Sequence, residues 1–293
     1  MKLLALDIGG SFIKYGWVQD GTASALKTIP TNAQLGPQAL LDTITAIVSE
    51  FPKTPALGIS FASQTDPVRG CITSATDTFP GFTGVPLRDI LQQRLGIPVA
   101  VDNDVNCAAF AEGRWGAAAG KQDFLCLTYG TGIGGALVLD GKLYYGQAFA
   151  AGEVGHMTLH GGGIRCNCGR LGCYEAYASV SALTARVSAS FPQLCSGKDI
   201  CAAYEAGLDG LAPIVDSWMQ DVVDGLCSCM HLLNPSTVVL GGGIMENRFV
   251  FQILHSRLQQ ALLPNFRQAQ ILPAQLGNAA GMIGAALLAE QLL

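Results

Sequence analysis

Residues 3–18, LLALDIGGSFIKYGWV, run as an apolar strand, a glycine turn and a second strand. Residues 125–139, LCLTYGTGIGGALVL, repeat the plan. Each reads as a β-hairpin whose bend is rich in glycine, so that bare backbone N–H groups can point at a ligand. Two such hairpins about 120 positions apart predict two related lobes with a cleft between them.

Between the hairpins the pattern predicts an amphipathic helix (GPQALLDTITAIVSEF), a strand (ALGISFA), a loop through FPGFTG, a helix (PLRDILQQRL), a strand (IPVAV) and a helix beginning near Asp104. Farther on come two helical stretches, ASVSALTARVSASF and APIVDSWMQDVVDGLCSCMHLL. Asn234-Pro235 closes the second of them, because proline bars the preceding residue from helix. A buried strand TVVL then opens into Gly241-Gly242-Gly243, and AAGMIGAALLAEQLL forms a last helix. Strands alternating with helices give an α/β class. The expected boundaries are residues 1–118 for the first lobe and 119–280 for the second, with a C-terminal helix at about 281–293 packing back on the first.

Composition narrows the function. At 293 residues, 49% of them hydrophobic, a large core is available. Charged residues are 13% and the net charge is −5, with no Lys/Arg run, a poor match to nucleic acid or anionic membrane. So sparse a charged surface leads us to expect a homodimer or higher homo-oligomer. No signal peptide or membrane span is expected; the apolar run from Ala279 stops at Glu290. A cytoplasmic protein is expected, its ten cysteines reduced and several of them core residues.

Three glycine-rich bends invite phosphate. In DIGGSFIK, Gly9 and Gly10 (followed by Ser11 and Lys14) let backbone amides approach an anion, while Asp7 can hold water or Mg²⁺. Gly130, Thr131, Gly132 and Gly134 form the second bend and Gly241, Gly242 and Gly243 the third. Any one of them is explained by a turn needing positive φ; three together suit nucleotide phosphates. VDNDVN places Asp102, Asn103 and Asp104 at a strand-to-helix junction, where one cap needs one residue and three are offered. Ligands of open α/β sheets gather at such strand ends, and a carboxylate there can take a proton from a substrate hydroxyl.

His156, Cys166, Cys168 and Cys173 give H-x9-C-x-C-x4-C. Four imidazole and thiolate ligands suit tetrahedral Zn²⁺ in a closed, structural site, with Gly161–Gly163, Gly169 and Gly172 letting the chain wrap around it. His160 competes with His156 as the fourth ligand. A disulfide within CNC is too strained to be the alternative.

These segments resemble the ROK family (repressors, open reading frames, kinases). DIGGSFIK, VDNDVNCAAFAE, LTYGTGIGGALVLDGKLYYG and AGEVGHMTLHGGGIRCNCGRLGCYEAYAS fall in the family's order and spacing, and LNPSTVVLGGGI and GNAAGMIGAALLA continue the match. The resemblance implies the two-lobed actin/Hsp70/sugar-kinase (ribonuclease H-like) fold, ATP bound in the interlobe cleft and a structural zinc beside a sugar. It implies Asp104 as catalytic base and Asn103, Asp104, Glu153, His156 and Glu175 as sugar contacts. The chain departs from the family pattern at Ser60–Pro67 (SFASQTDP), at Thr78 and at Ala279.

The function implied is an ATP-dependent hexose kinase working with Mg²⁺ on the C6 hydroxyl of an aldohexose, glucose first. Other hexoses (mannose, N-acetylhexosamines, fructose, allose) or glycosides, and a non-catalytic sugar-binding relic, are the alternatives. The family's regulators carry a helix-turn-helix ahead of the DIGG strand, whereas six residues precede Asp7 here. A zinc-ribbon interaction module lacks its basic face.

Overall fold

The computed structural model describes residues 1–293. Two compact units are present: Met1–Gly120 with Lys142–Ala151 and Asn278–Leu293, and Lys121–Gly141 with Gly152–Gly277.

The first unit holds β1 (Lys2–Ile8), β2 (Phe12–Gln19), β3 (Thr22–Pro30), α1 (Pro37–Ser49), β4 (Leu57–Phe61), the short hairpin β5 (Gln64–Asp66) and β6 (Cys71–Ser74), α2 (Leu87–Leu95), β7 (Val99–Asn103), α3 (Asp104–Trp115), the two-residue β10 (Lys142–Leu143) and α9 (Ala280–Glu290). Its sheet runs β3-β2-β1-β4-β7, with β1, β4 and β7 parallel. Period-two alternation sorts the two faces. Leu4, Leu6, Ile8, Leu57, Ile59, Phe61, Val99 and Val101 join a core with Leu40, Leu41 and Ile44 of α1 and Leu87 and Leu91 of α2. The alternate positions, among them Asp7, Gly58, Ser60 and Asp102, form the face that α9 packs on. A Cβ at Gly58 would collide with the Ala285 backbone, and one at Gly284 with the Cys107 backbone. Small residues therefore let α9 lie directly against β4 and α3.

The second unit holds β8 (Phe124–Tyr129), β9 (Ile133–Leu139), α4 (Glu175–Ala178), α5 (Val180–Ser188), α6 (Gly197–Glu205), α7 (Ala212–Leu233), β11 (Thr237–Gly241), α8 (Arg248–Ala261) and β12 (Gln270–Pro273). Strands β9, β8, β11 and β12 lie side by side in that order, β8 and β9 antiparallel, the rest parallel. Helix α7 supplies Trp218, Met219, Val222, Leu226 and Met230 to the core. It ends at Asn234, which takes the left-handed conformation (φ 46°) before Pro235. No helix is long and apolar enough to cross a membrane.

Candidate active site

The β7–α3 junction gathers the polar groups of the first unit. Asn103 is the cap of α3: its Oδ1 accepts from Val105 N (2.9 Å) and Asn106 N (3.2 Å). Its Nδ2 donates to Ser63 O (3.1 Å) and to Asp104 Oδ1 (3.0 Å). Both lone pairs and both hydrogens of the amide are thus engaged. Asp104 Oδ1 also accepts from Val105 N at 2.9 Å. Both bonds fall on Oδ1, so Oδ2 is the oxygen able to receive a proton. Burial, first, and the negative charge of Asp7, second, push the Asp104 carboxyl up to about 7, against the opposing effect of its hydrogen bonds. Such a value suits a general base near neutral pH.

Strand register brings distant residues to the same place. Lys14 pairs with Asp7, Asp7 with Ser60, and Ser60 with Asp102 across four neighbouring strands. Paired residues share a face, so these four side chains form one polar row. Ser60 Oγ donates to Asp7 Oδ1 at 2.7 Å, and Lys14 Nζ stands 3.7 Å from Asp7 Oδ2. Gly281 of α9 crosses the row where a Cβ would lie 2.9 Å from both Asp7 Oδ1 and Ser60 Oγ. Asp102, fully buried, accepts from Asn103 N (2.6 Å), Asn106 Nδ2 (3.1 Å) and Tyr145 Oη (2.7 Å). Ser60, Asp102 as an anchor, and Tyr145 were absent from the candidate residues.

The glycine bends can be tested for a phosphate. None of Gly9, Gly10, Gly130, Gly132, Gly134, Gly241 and Gly243 takes a positive φ; Gly242 does (φ 96°). The turn explanation therefore holds at Gly242 alone. Gly10 is small because Thr78 packs against it, and Gly132 because Glu175 does. A Cβ on Gly130 or Gly243 would meet nothing within 4 Å. Nothing in the chain itself demands glycine there, and the bare backbone leaves room for an anion. Each bend, taken by itself, is compatible with a phosphate, and Ser11 and the exposed Thr131 stand in the first and the second.

The cysteine stretch closes on itself. The ligand atoms of His156, Cys166, Cys168 and Cys173 all lie within 4.8 Å of one another. Cys166 Sγ is 3.7 Å from His156 Nδ1 and Cys168 Sγ 3.6 Å from Cys173 Sγ. A tetrahedron with ~2.3 Å bonds has edges of about 3.8 Å, so the donor set is compatible with structural Zn²⁺. Of the two candidate histidines, His156 lies in the cluster, whereas His160 Nε2 stands 2.8 Å from Asp221 Oδ1. Asp221 also accepts from Arg186 at 2.6 Å, bracing the loop on α7. With Nδ1 toward the thiols, His156 Nε2 faces Glu153 Oε2 at 3.8 Å. Glu175 Oε2 accepts from Ile133 N at 2.9 Å, tying the loop to the second glycine bend.

The ROK family model matches residues 3–292, and the chain belongs to that family. Within it, the relatives include sugar kinases of more than one specificity. A glucokinase of Streptomyces coelicolor is 32% identical over 98% of this chain and 97% of its own. An N-acetyl-D-glucosamine kinase of Vibrio atlanticus is 30% identical over 96% and 97%. The crystal structure of a ROK family glucokinase from Streptomyces griseus, in complex with glucose and AMPPNP, superposes with a TM-score of 0.88 at 31% identity, covering 99% of this chain and 100% of that one. The fold is thus the actin/Hsp70-like fold of ROK sugar kinases, as the resemblance implied.

Proposed function

We propose that the protein transfers the γ-phosphoryl group of ATP to the C6 hydroxyl of an aldohexose, with glucose the leading substrate. The observation that carries this reading is Asp104, a half-buried carboxyl held by Oδ1 and raised to about 7 at the N-terminus of α3. Asp104 Oδ2 takes the hydroxyl proton as the sugar oxygen attacks the γ-phosphorus in line and ADP leaves. Asn103, expected as a sugar contact, serves chiefly to orient Asp104, because a sugar bond must displace one it already makes. Glu153, Glu175 and His156 Nε2 supply sugar contacts. Ionised carboxylates only accept, so they select a ring edge rich in O–H donors and leave the exocyclic hydroxyl for Asp104.

The amides of Gly10, Gly132, Gly134 and Gly241–Gly243, with Ser11 and Thr131, hold the phosphates, and Lys14 offsets their charge; Gly9 N and Gly130 N already donate to Phe12 O (3.0 Å) and Gly132 O (2.9 Å), so these two glycines contribute the bare backbone that lets the anion approach. Mg²⁺ supplies further charge neutralisation, with Asp7 its protein anchor. Zn²⁺ on His156, Cys166, Cys168 and Cys173 fixes the loop that carries the two glutamates. A cytoplasmic, homo-oligomeric protein completes the reading, supported by ten cysteines none of which is in a disulfide and by the sparse surface charge. The N-acetyl-D-glucosamine kinase relative makes N-acetylhexosamines the second substrates to try.

ADP release should be measured over glucose, mannose, N-acetylglucosamine and N-acetylmannosamine, with the phosphate located by ³¹P NMR. A 6-phosphate is expected, fastest from glucose. Phosphate on the anomeric oxygen, or no sugar-dependent ADP release, overturns the reading.

A further inference from the structure

Asp102 is a buried carboxylate with no task in the transfer as described. Its Oδ1 fixes two groups of the β7–α3 junction, Asn103 N at 2.6 Å and the Asn106 amide at 3.1 Å. Its Oδ2 accepts from Tyr145 Oη at 2.7 Å, a partner 43 residues away. Tyr145 lies in Lys142–Ala151, a stretch that packs with the first unit although the chain on either side belongs to the second. That stretch is itself held in shape. Ala151 N donates to Tyr145 O at 3.0 Å, the Phe149 ring meets the Tyr145 ring edge-on at 6.3 Å, and Phe149 takes a left-handed backbone (φ 57°). For a residue with a Cβ that conformation is costly and is kept only where surroundings impose it. The tyrosine ring is thereby aimed, and its hydroxyl meets a carboxylate oxygen.

From Tyr145 the contacts run without a break to the proposed base: Tyr145 to Asp102, Asp102 to the Asn103 backbone, and the Asn103 amide to Asp104 Oδ1. We propose that Tyr145 is a positioning residue for phosphoryl transfer, holding Asp102 and, through Asn103, the orientation of Asp104. This rests on the kinase reading above. Burial raises the Asp102 carboxyl and the Tyr145 bond is the foremost influence lowering it, so the hydroxyl also helps keep Asp102 ionised. Without it, Asp102 is freer to turn or to take a proton, and Asp104 loses a rigid support. The sugar contacts Glu153, His156 and Glu175 and the glycine bends lie outside this path. The deficit therefore belongs in kcat, since a small misplacement of a catalytic group costs rate more than binding.

The test compares Tyr145→Phe, Asp102→Asn, the double variant and Tyr144→Phe, whose ring is exposed and outside the network. Thermal melts are read alongside kcat and KM on the sugar that the wild type turns over best. Tyr145→Phe should lower kcat about tenfold, a barrier increase of roughly 1.4 kcal/mol, with sugar KM changed by less than about threefold. In the Asp102→Asn background the same change should cost little further, and Tyr144→Phe should match wild type. Full kcat in Tyr145→Phe, or full additivity in the double variant, overturns the positioning role while leaving the kinase reading intact. A wild type inactive on every sugar overturns both. Should Tyr145→Phe melt below the assay temperature, Asp102→Asn decides alone: an unchanged kcat there removes the path through which Tyr145 acts.

Discussion

At the scale of single residues, two expectations follow from local geometry. Asp104 sits at about 7, well above the usual carboxylate range, because it is half-buried beside Asp7. As the base it must be ionised in the free enzyme, so kcat/KM should fall toward acid with an apparent value near 7, to about a tenth at pH 6, and be flat above pH 8. A limb near pH 4 would mean that another group governs turnover. The sign for stability is opposite to that of a salt-bridged aspartate. The folded state holds this proton more tightly than the unfolded chain, so the carboxyl's presence destabilises the fold increasingly as pH rises from about 4 through 7. Gly130 offers the second expectation. It has neither a positive φ nor a neighbour that excludes a methyl. Gly130→Ala should therefore leave the melting temperature unchanged while the added Cβ intrudes on the phosphate, raising the ATP KM about tenfold, roughly 1.4 kcal/mol of binding. An unchanged ATP KM would show that the bend is only a turn.

At the scale of elements, the cysteine loop is a motif whose chemistry lies in its spacing, so it is legible in the chain. Isolated protein prepared without chelator should hold about one Zn²⁺ per chain by elemental analysis, and Cys166→Ser should lose it along with sugar affinity. Zinc-free wild type of normal activity would contradict this. The two hairpins, α7 and the β7–α3 junction are legible for the same reason: apolar period and capping residues are local properties. Strand β3 is not, because most of its residues are exposed and no alternation marks it. Helix α8 also escaped the pattern reading; it buries only the stripe Val250, Leu254 and Leu258 among polar positions. The bracing of His160 by Asp221, 61 residues on, is invisible for a different reason. It depends on how α7 packs, which no local pattern encodes.

At the scale of the molecule, Asp7, the glycine bends and Asp104 were readable one by one, and the register joined some of them. Nothing in the linear order sets Lys14, Asp7, Ser60 and Asp102 in one row; three strand pairings do. Ser60, counted in the sequence as a departure from the family pattern, becomes the donor that orients Asp7. The proposed function turns on Asp104 as the group that accepts the substrate proton. The most direct measurement replaces it with Asn in the full-length protein and follows sugar-dependent ADP release beside calorimetric titration of the sugar. Turnover should drop by at least about 10²–10⁴-fold, the usual contribution of a general base, with sugar affinity largely kept. An Asp104→Asn protein with near-normal turnover would reduce the carboxylate to a helix cap and contradict the account.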